Sequence, residues 1–229
     1  MKKCLLPVML FLGPVIAMSG CRPTNGSGAA SSTGSVTTTT APSSSGGSSA
    51  AAAFNKPRKP TGPVLIKVIT NGDSPFWDAM GSGLKVGIAA EPGISPQSGW
   101  SPPAQTDNNS QKTLFNEDRT NADGIAVSVI DATAFAPVID AAIDKGLPVI
   151  TFDSDAPASK RLAYIGTNNY EAGKKAGEEA VKLMPNGGNL VAFVGNMSAD
   201  NARQRYQGFV DATKDHNIHM LQDPYEDDK

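Results

Sequence analysis

The chain has 229 residues, with 20 Lys and Arg against 22 Asp and Glu and a formal net charge of −2. That mildly acidic balance argues against nucleic acid as a partner. Both cysteines, Cys4 and Cys21, fall at the N-terminus, which leaves the rest of the chain without thiols for redox, metal or nucleophilic chemistry.

Lys2 and Lys3 precede an apolar stretch from Leu5 to Ala17. It is too short to span a bilayer comfortably and has the layout of a secretory signal. Met18-Ser19-Gly20-Cys21 resembles a bacterial lipobox, which implies a lipoprotein signal peptide over 1–21 and a diacylglyceryl group on the Cys21 thiol. Membrane attachment would then run through lipid on Cys21, since no later apolar run is long enough to cross a membrane. Residues 22–60 are mostly Gly, Ser, Thr, Ala and Pro and read as a tether that can bury no core. Random-coil scaling gives its low-complexity part a reach on the order of 30–35 Å. Lys56, Arg58 and Lys59 sit among prolines there and read as a solvated stem.

The remainder alternates short apolar runs with helical patterns. Val64 to Thr70 is β-branched and predicts a buried strand. Asn71-Gly72-Asp73-Ser74-Pro75 predicts a turn, with Ser74 as N-cap and Pro75 opening a helix to about Ala90. The stretch 92–103 reads as an irregular insert rather than a strand because of its prolines and glycines. A helix is predicted from Ser110 to Thr120, a strand from Gly124 to Ile130, and a helix to Lys145 that stops at Gly146. Leu147 to Phe152 and Ala163 to Gly166 follow as strands. Tyr170 to Met184 is a predicted helix, Asn189 to Val194 a strand, Asn201 to Asp215 a helix and Ile218 to Leu221 a last strand. This alternation predicts an α/β fold with doubly wound parallel sheets. Two lobes fit the count, a first over 61–160 and a second over 161–229.

Three strand ends carry candidate chemistry. Phe76 and Trp77 follow the first turn and read either as a stacking platform for a sugar ring or as core aromatics of an amphipathic helix. Asp153-Ser154-Asp155 closes a buried strand, where carboxylates accept hydrogen bonds from ligand hydroxyls or from a capped turn. Arg205 stands on an early turn of a helix after a strand, as a two-pronged donor or as a surface arginine. Other patterns fail. Gly81-Ser82-Gly83 lies inside a helix with the wrong onward spacing for a dinucleotide loop. There is no Gly-Lys-Ser/Thr phosphate loop, and His216 and His219 lack companions at metal-ligand spacing. No cofactor, metal or nucleophile–base pair is therefore expected. One enzyme reading survives: VITFDSD resembles the first motif of haloacid-dehalogenase-type phosphatases, with Asp153 as phosphoryl-accepting nucleophile. Against it, the motif comes late in the chain and is followed by Ala156-Pro157.

Four segments together resemble the periplasmic sugar-binding proteins of the ribose-binding type, the type I receptors of sugar ABC importers. They are Ser74-Pro75-Phe76-Trp77, Asp123-Gly124-Ile125 with Ile130-Asp131-Ala132, Pro148 to Gly173, and Asn201-Ala202-Arg203-Gln204-Arg205 with Gly208-Phe209. The resemblance implies a binding protein rather than an enzyme, two lobes closing on one sugar, and a membrane permease as partner. It implies ligand-binding roles for Asn71, Ser74, Phe76, Trp77, Asp153, Ser154 and Arg205, and a first hinge crossing between Ile165 and Asn169. Ribose binders often carry arginine where this chain has Ser154, which argues against ribose itself. A monomer is expected, extracytoplasmic and membrane-anchored, with a tethered sensor for a membrane receptor as the alternative job. Family members continue well beyond the position of Lys229, which implies a fragment, a truncated reading frame or a degenerate relative, with an incomplete second lobe and about half a cleft. Weak or no sugar affinity for residues 54–229 follows, and micromolar binding by calorimetry would refute it.

Overall fold

The computed structural model describes residues 10–11 and 59–226. Cys21, the signal segment apart from Leu10–Phe11, and the tether through residue 58 lie outside the described residues. The short strand β1, Leu10–Phe11, pairs in parallel with Ala192–Phe193.

The first lobe is built on a five-stranded, all-parallel sheet. Its strands are β2 (Ile66–Ile69), β3 (Gly99–Ser101), β4 (Gly124–Val127), β5 (Val149–Phe152) and β6 (Tyr164–Ile165). They lie in the order β3-β2-β4-β5-β6. Three helices cross between them: α1 (Pro75–Ala90), α2 (Asn108–Asp118) and α3 (Ala132–Ile143). The strand order reverses direction at β2. Right-handed crossovers therefore put α1 on the opposite face from α2 and α3, and the carboxyl ends around β2 become the switch point where ligands collect.

Local chemistry sets these elements. Asp131 Oδ1 caps α3 by accepting from the Thr133 and Ala134 amides at 2.9 Å each. Asp107 caps α2 in the same way, and the Ser110 amide and hydroxyl hold its carboxyl below the ordinary aspartate range. Ser74 is the N-cap of α1, as its position predicts, but makes no side-chain cap; its carbonyl accepts from the Trp77 and Asp78 amides instead. Gly146, with φ +82°, supplies the left-handed turn after α3 that a side chain would strain. The core lies between the sheet and the α2/α3 face. Ile69, Phe115, Val127, Phe135, Ile139 and Val149 are wholly buried there, and Phe115 meets Phe135 edge-to-face at 5.4 Å.

After β6 the chain crosses into a second lobe through residues 166–168 and enters α4 (Asn169–Leu183). There follow β7 (Gly188–Leu190), β8 (Ala192–Val194), α5 (Asp200–Thr213), β9 (Ile218–Met220) and β10 (Tyr225–Glu226). β7 pairs with β9, while β8 pairs with β1 on one side and β10 on the other, all in parallel. Helices α4 and α5 touch backbone to backbone. A Cβ at Gly173 would lie 1.9 Å from the Arg205 carbonyl oxygen, and one at Gly208 would lie 2.1 Å from that of Tyr170. Ala180, Leu190, Phe209 and Ile218 form the buried centre of this lobe.

Four expectations need correction. The lobe boundary expected between residues 160 and 161 lies later, because Tyr164–Ile165 pairs with Thr151–Phe152 in the first-lobe sheet. The stretch 92–103 contains a strand after all: Gly99–Ser101 pairs with Lys67–Ile69 at the sheet edge. An edge strand bonds along one side only, which tolerates the prolines that flank it. The single strand expected over Asn189–Val194 is two, because Val191 interrupts it where pairing passes from β9 to β1 and β10. β10 was not anticipated from the sequence.

Candidate functional site

A cleft of about 400 Å³ opens between the two lobes. From the first lobe it is lined by Asn71, Phe76, Trp77, Thr106, Ile130 and Asp153. From the crossing and the second lobe come Thr167, Asn196, Asn201 and Arg205, among others. The first-lobe residues follow the carboxyl ends of strands, where the switch point of the sheet predicts a site.

Asp153 is the centre of this wall. Its backbone adopts a left-handed conformation, φ +56°, just after β5, and its amide donates to the Ile165 carbonyl at 3.2 Å. Oδ2 accepts from Ser128 Oγ at 3.0 Å and from Asn201 Nδ2, across the cleft, at 3.4 Å. Burial pushes the carboxyl above the ordinary aspartate range; the Ser128 hydroxyl, the Arg205 charge and the Asn201 amide oppose that rise without cancelling it. A carboxylate so placed accepts hydroxyl protons strongly, because little water competes for it.

Arg205 reaches the cleft from α5, and its Nε donates to Asn169 Oδ1 at 2.8 Å. Asn169 Nδ2 in turn donates to the Tyr164 hydroxyl at 3.1 Å. Trp77 is 5% exposed and packs edge-to-face on Phe152 at 5.8 Å, so it is both a cleft wall and a core aromatic. Phe76 leans edge-on against Trp77 at 4.8 Å and stays 44% exposed at the mouth.

Asn71, Phe76, Trp77, Asp153 and Arg205 thus line one cleft, whereas Ser74 and Ser154 do not. The Ser154 side chain is fully buried behind the wall, and its amide donates to Ser128 Oγ at 3.3 Å. Asp155 also points away. Arg161 grips it with two nitrogens, Nη2 to Oδ2 at 2.5 Å, while Thr151 Oγ1 and the Ala156 amide donate to Oδ1 at 2.5 and 2.7 Å. The second carboxylate of the Asp-x-Asp pair is therefore consumed by the fold.

Sequence reasoning missed the residues that brace this wall. Gln111 is fully buried; Nε2 donates to the Thr70 and Ser128 carbonyls at 3.0 and 2.7 Å, and Oε1 accepts from the Ile130 amide at 3.0 Å. One amide thereby fixes the ends of β2 and β4. Its signal was its place four residues before Phe115, on the buried stripe of α2.

Two parallel-sheet lobes meet at a polar, aromatic-walled cleft. The chain belongs to the periplasmic binding protein domain family, which matches residues 66–229. A curated relative, the ribose import binding protein RbsB of Escherichia coli, is 28% identical over 117 residues, covering 50% of this chain and 40% of its own. A solute-binding protein of an ABC transporter from Burkholderia graminis, solved with D-arabinose, superposes with a TM-score of 0.67 at 27% identity, over 75% of this chain and 58% of that one. A fructose-binding periplasmic domain of a hybrid two-component system superposes with a TM-score of 0.67 at 25% identity, over 72% and 54%. The chain therefore spans between about two fifths and three fifths of these relatives' lengths.

Proposed function

We propose that this chain captures a monosaccharide outside the cytoplasm, as a monomer held to the membrane by lipid on Cys21, and presents it to the permease of an ABC importer. One observation carries the reading: an acceptor, Asp153, and a donor, Arg205, come from different lobes to one cleft of sugar size beside Trp77. Their charges balance and the other polar lining groups, among them Asn71, Thr106, Asn196 and Asn201, are neutral, which suits an uncharged polyhydroxylated ligand. Selectivity would come from leaving buried polar groups unpaired with a wrong epimer, at about 1–3 kcal/mol each. The engagement of Asp155 by Arg161 supports a binding role over the phosphatase reading.

The test is ligand-observed NMR with a panel of D-arabinose, D-ribose, D-xylose and D-fructose. A saturable signal from at least one sugar, lost in Asp153→Ala, is expected. A signal that survives Asp153→Ala refutes the reading. A second job, passing sugar occupancy to a membrane sensor, is favoured by the likeness to the fructose-binding domain of a two-component system. Genes for a permease and ATPase beside this one would favour import, and a neighbouring sensor kinase would favour signalling.

A further inference from the structure

The phenol of Tyr164 stands where the chain leaves the first lobe. Its hydroxyl lies 2.9 Å from the Asp153 carbonyl oxygen and 3.2 Å from that of Thr167, and it accepts from Asn169 Nδ2 at 3.1 Å. The Asn169 side chain, 3% exposed, turns its oxygen to Arg205 Nε. A continuous chain of hydrogen bonds thus runs from the backbone of Asp153, through the crossing, to the guanidinium of Arg205. It is directional. Because the phenol gives its proton to a carbonyl, it offers Asn169 an acceptor, so the amide must present NH₂ to the phenol and oxygen to the arginine. Burial pushes the Tyr164 phenol above its ordinary range, which keeps that proton in place. Gly166 leaves room for it, since a Cβ there would lie 2.2 Å from the hydroxyl.

We propose that Tyr164 and Asn169 are positioning residues: Tyr164 sets the orientation of the Asn169 amide, and the amide holds Arg205 against the second-lobe wall of the cleft. The inference rests on the ligand reading of the cleft only for its consequence in affinity. Without the phenol the amide can flip, which turns its NH₂ toward a cation that needs an acceptor. An aspartate at 169 has no wrong orientation, because both of its oxygens accept.

The experiment follows the Arg205 Nε–H resonance of the full chain by ¹⁵N NMR, identified by its loss in Arg205→Lys. Tyr164→Phe should raise the exchange rate of that proton about tenfold, the factor for one ordinary hydrogen bond, with other protected amides unchanged. Asn169→Asp placed in the Tyr164→Phe background should restore protection. A proton equally protected in Tyr164→Phe overturns the proposal, as does failure of the aspartate to rescue. General loss of amide protection in Tyr164→Phe also overturns it, by showing that the phenol holds the fold instead. Titration with D-arabinose and D-ribose reads the consequence: affinity about tenfold weaker in Tyr164→Phe for whichever sugar the wild type binds. A wild type that binds neither counts against the sugar reading, while the exchange data still decide the relay.

Discussion

Gln111→Leu removes three hydrogen bonds from a fully buried site. The partners are the Thr70 and Ser128 carbonyls and the Ile130 amide, belonging to residues 0%, 0% and 5% exposed. Leucine fills nearly the same volume, so cavity terms stay small and the loss falls on hydrogen bonding. An ordinary bond contributes about 1 kcal/mol net, and a stranded buried amide costs about 1–3 kcal/mol. The expected loss is therefore about 3 kcal/mol, with the Ile130 N–H as the largest share. Urea unfolding followed by far-UV circular dichroism measures it. With a slope of about 2 kcal/mol/M, the midpoint should fall by about 1.5 M. Gln111→Glu should be at least as damaging at neutral pH, since it sets a carboxylate against two carbonyl oxygens, and should recover on acidification as the carboxyl gains a proton. A Gln111→Leu variant within about 0.5 kcal/mol of wild type would refute the claim that this amide ties the strand ends, because even one lost bond exceeds that.

Gly173→Ala should lower stability by about 2 kcal/mol by thermal melting, because its methyl would strike the Arg205 carbonyl, which cannot rotate away. Gly83→Ala, on open helix surface with nothing within 4 Å, should instead gain about 0.5–1 kcal/mol; a loss in both would show that α1 and α4 respond to something other than contact. Asp153→Asn should remove sugar binding yet raise stability at neutral pH. The raised folded pKa of Asp153 means that its stabilising form is the protonated one, fully present below the unfolded pKa and lost as pH rises through the folded pKa. Denaturation curves of wild type and Asp153→Asn should thus converge below the ordinary aspartate range and separate above it; parallel curves at all pH values would contradict this. Arg161→Ala should cost about 3 kcal/mol, since it strands the buried Asp155 carboxylate, and a double-mutant cycle with Asp155→Asn should show coupling between the two.

The alternation of strands and helices was legible because the apolar runs are separated by polar turns, three of them with a side-chain cap at Asp107, Asp131 and Asn168. Asp153 was legible too, as a carboxylate that a buried strand cannot carry without a purpose. The pair Asp153-Ser154 was not resolved, because which of two successive side chains faces a cleft depends on local backbone angles, and Asp153 turns into the left-handed region. The Tyr164–Asn169–Arg205 chain was invisible for a different reason. It depends on the β5–β6 register and on how closely α4 and α5 approach, and no local pattern encodes either. The interruption at Val191 likewise reflects which strands lie beside it, not its own propensity.

Trp77 has a further consequence. The chain holds 2 tryptophans, Trp77 and Trp100, and both stand in the first lobe. Trp100 covers Gly81 on α1 and is not part of the cleft lining, whereas Trp77 borders the opening itself. The molecule therefore carries its own optical probe. In a Trp100→Phe background, emission would come from an indole on the cleft wall alone, and its wavelength and quenching would report occupancy of the opening without any attached label.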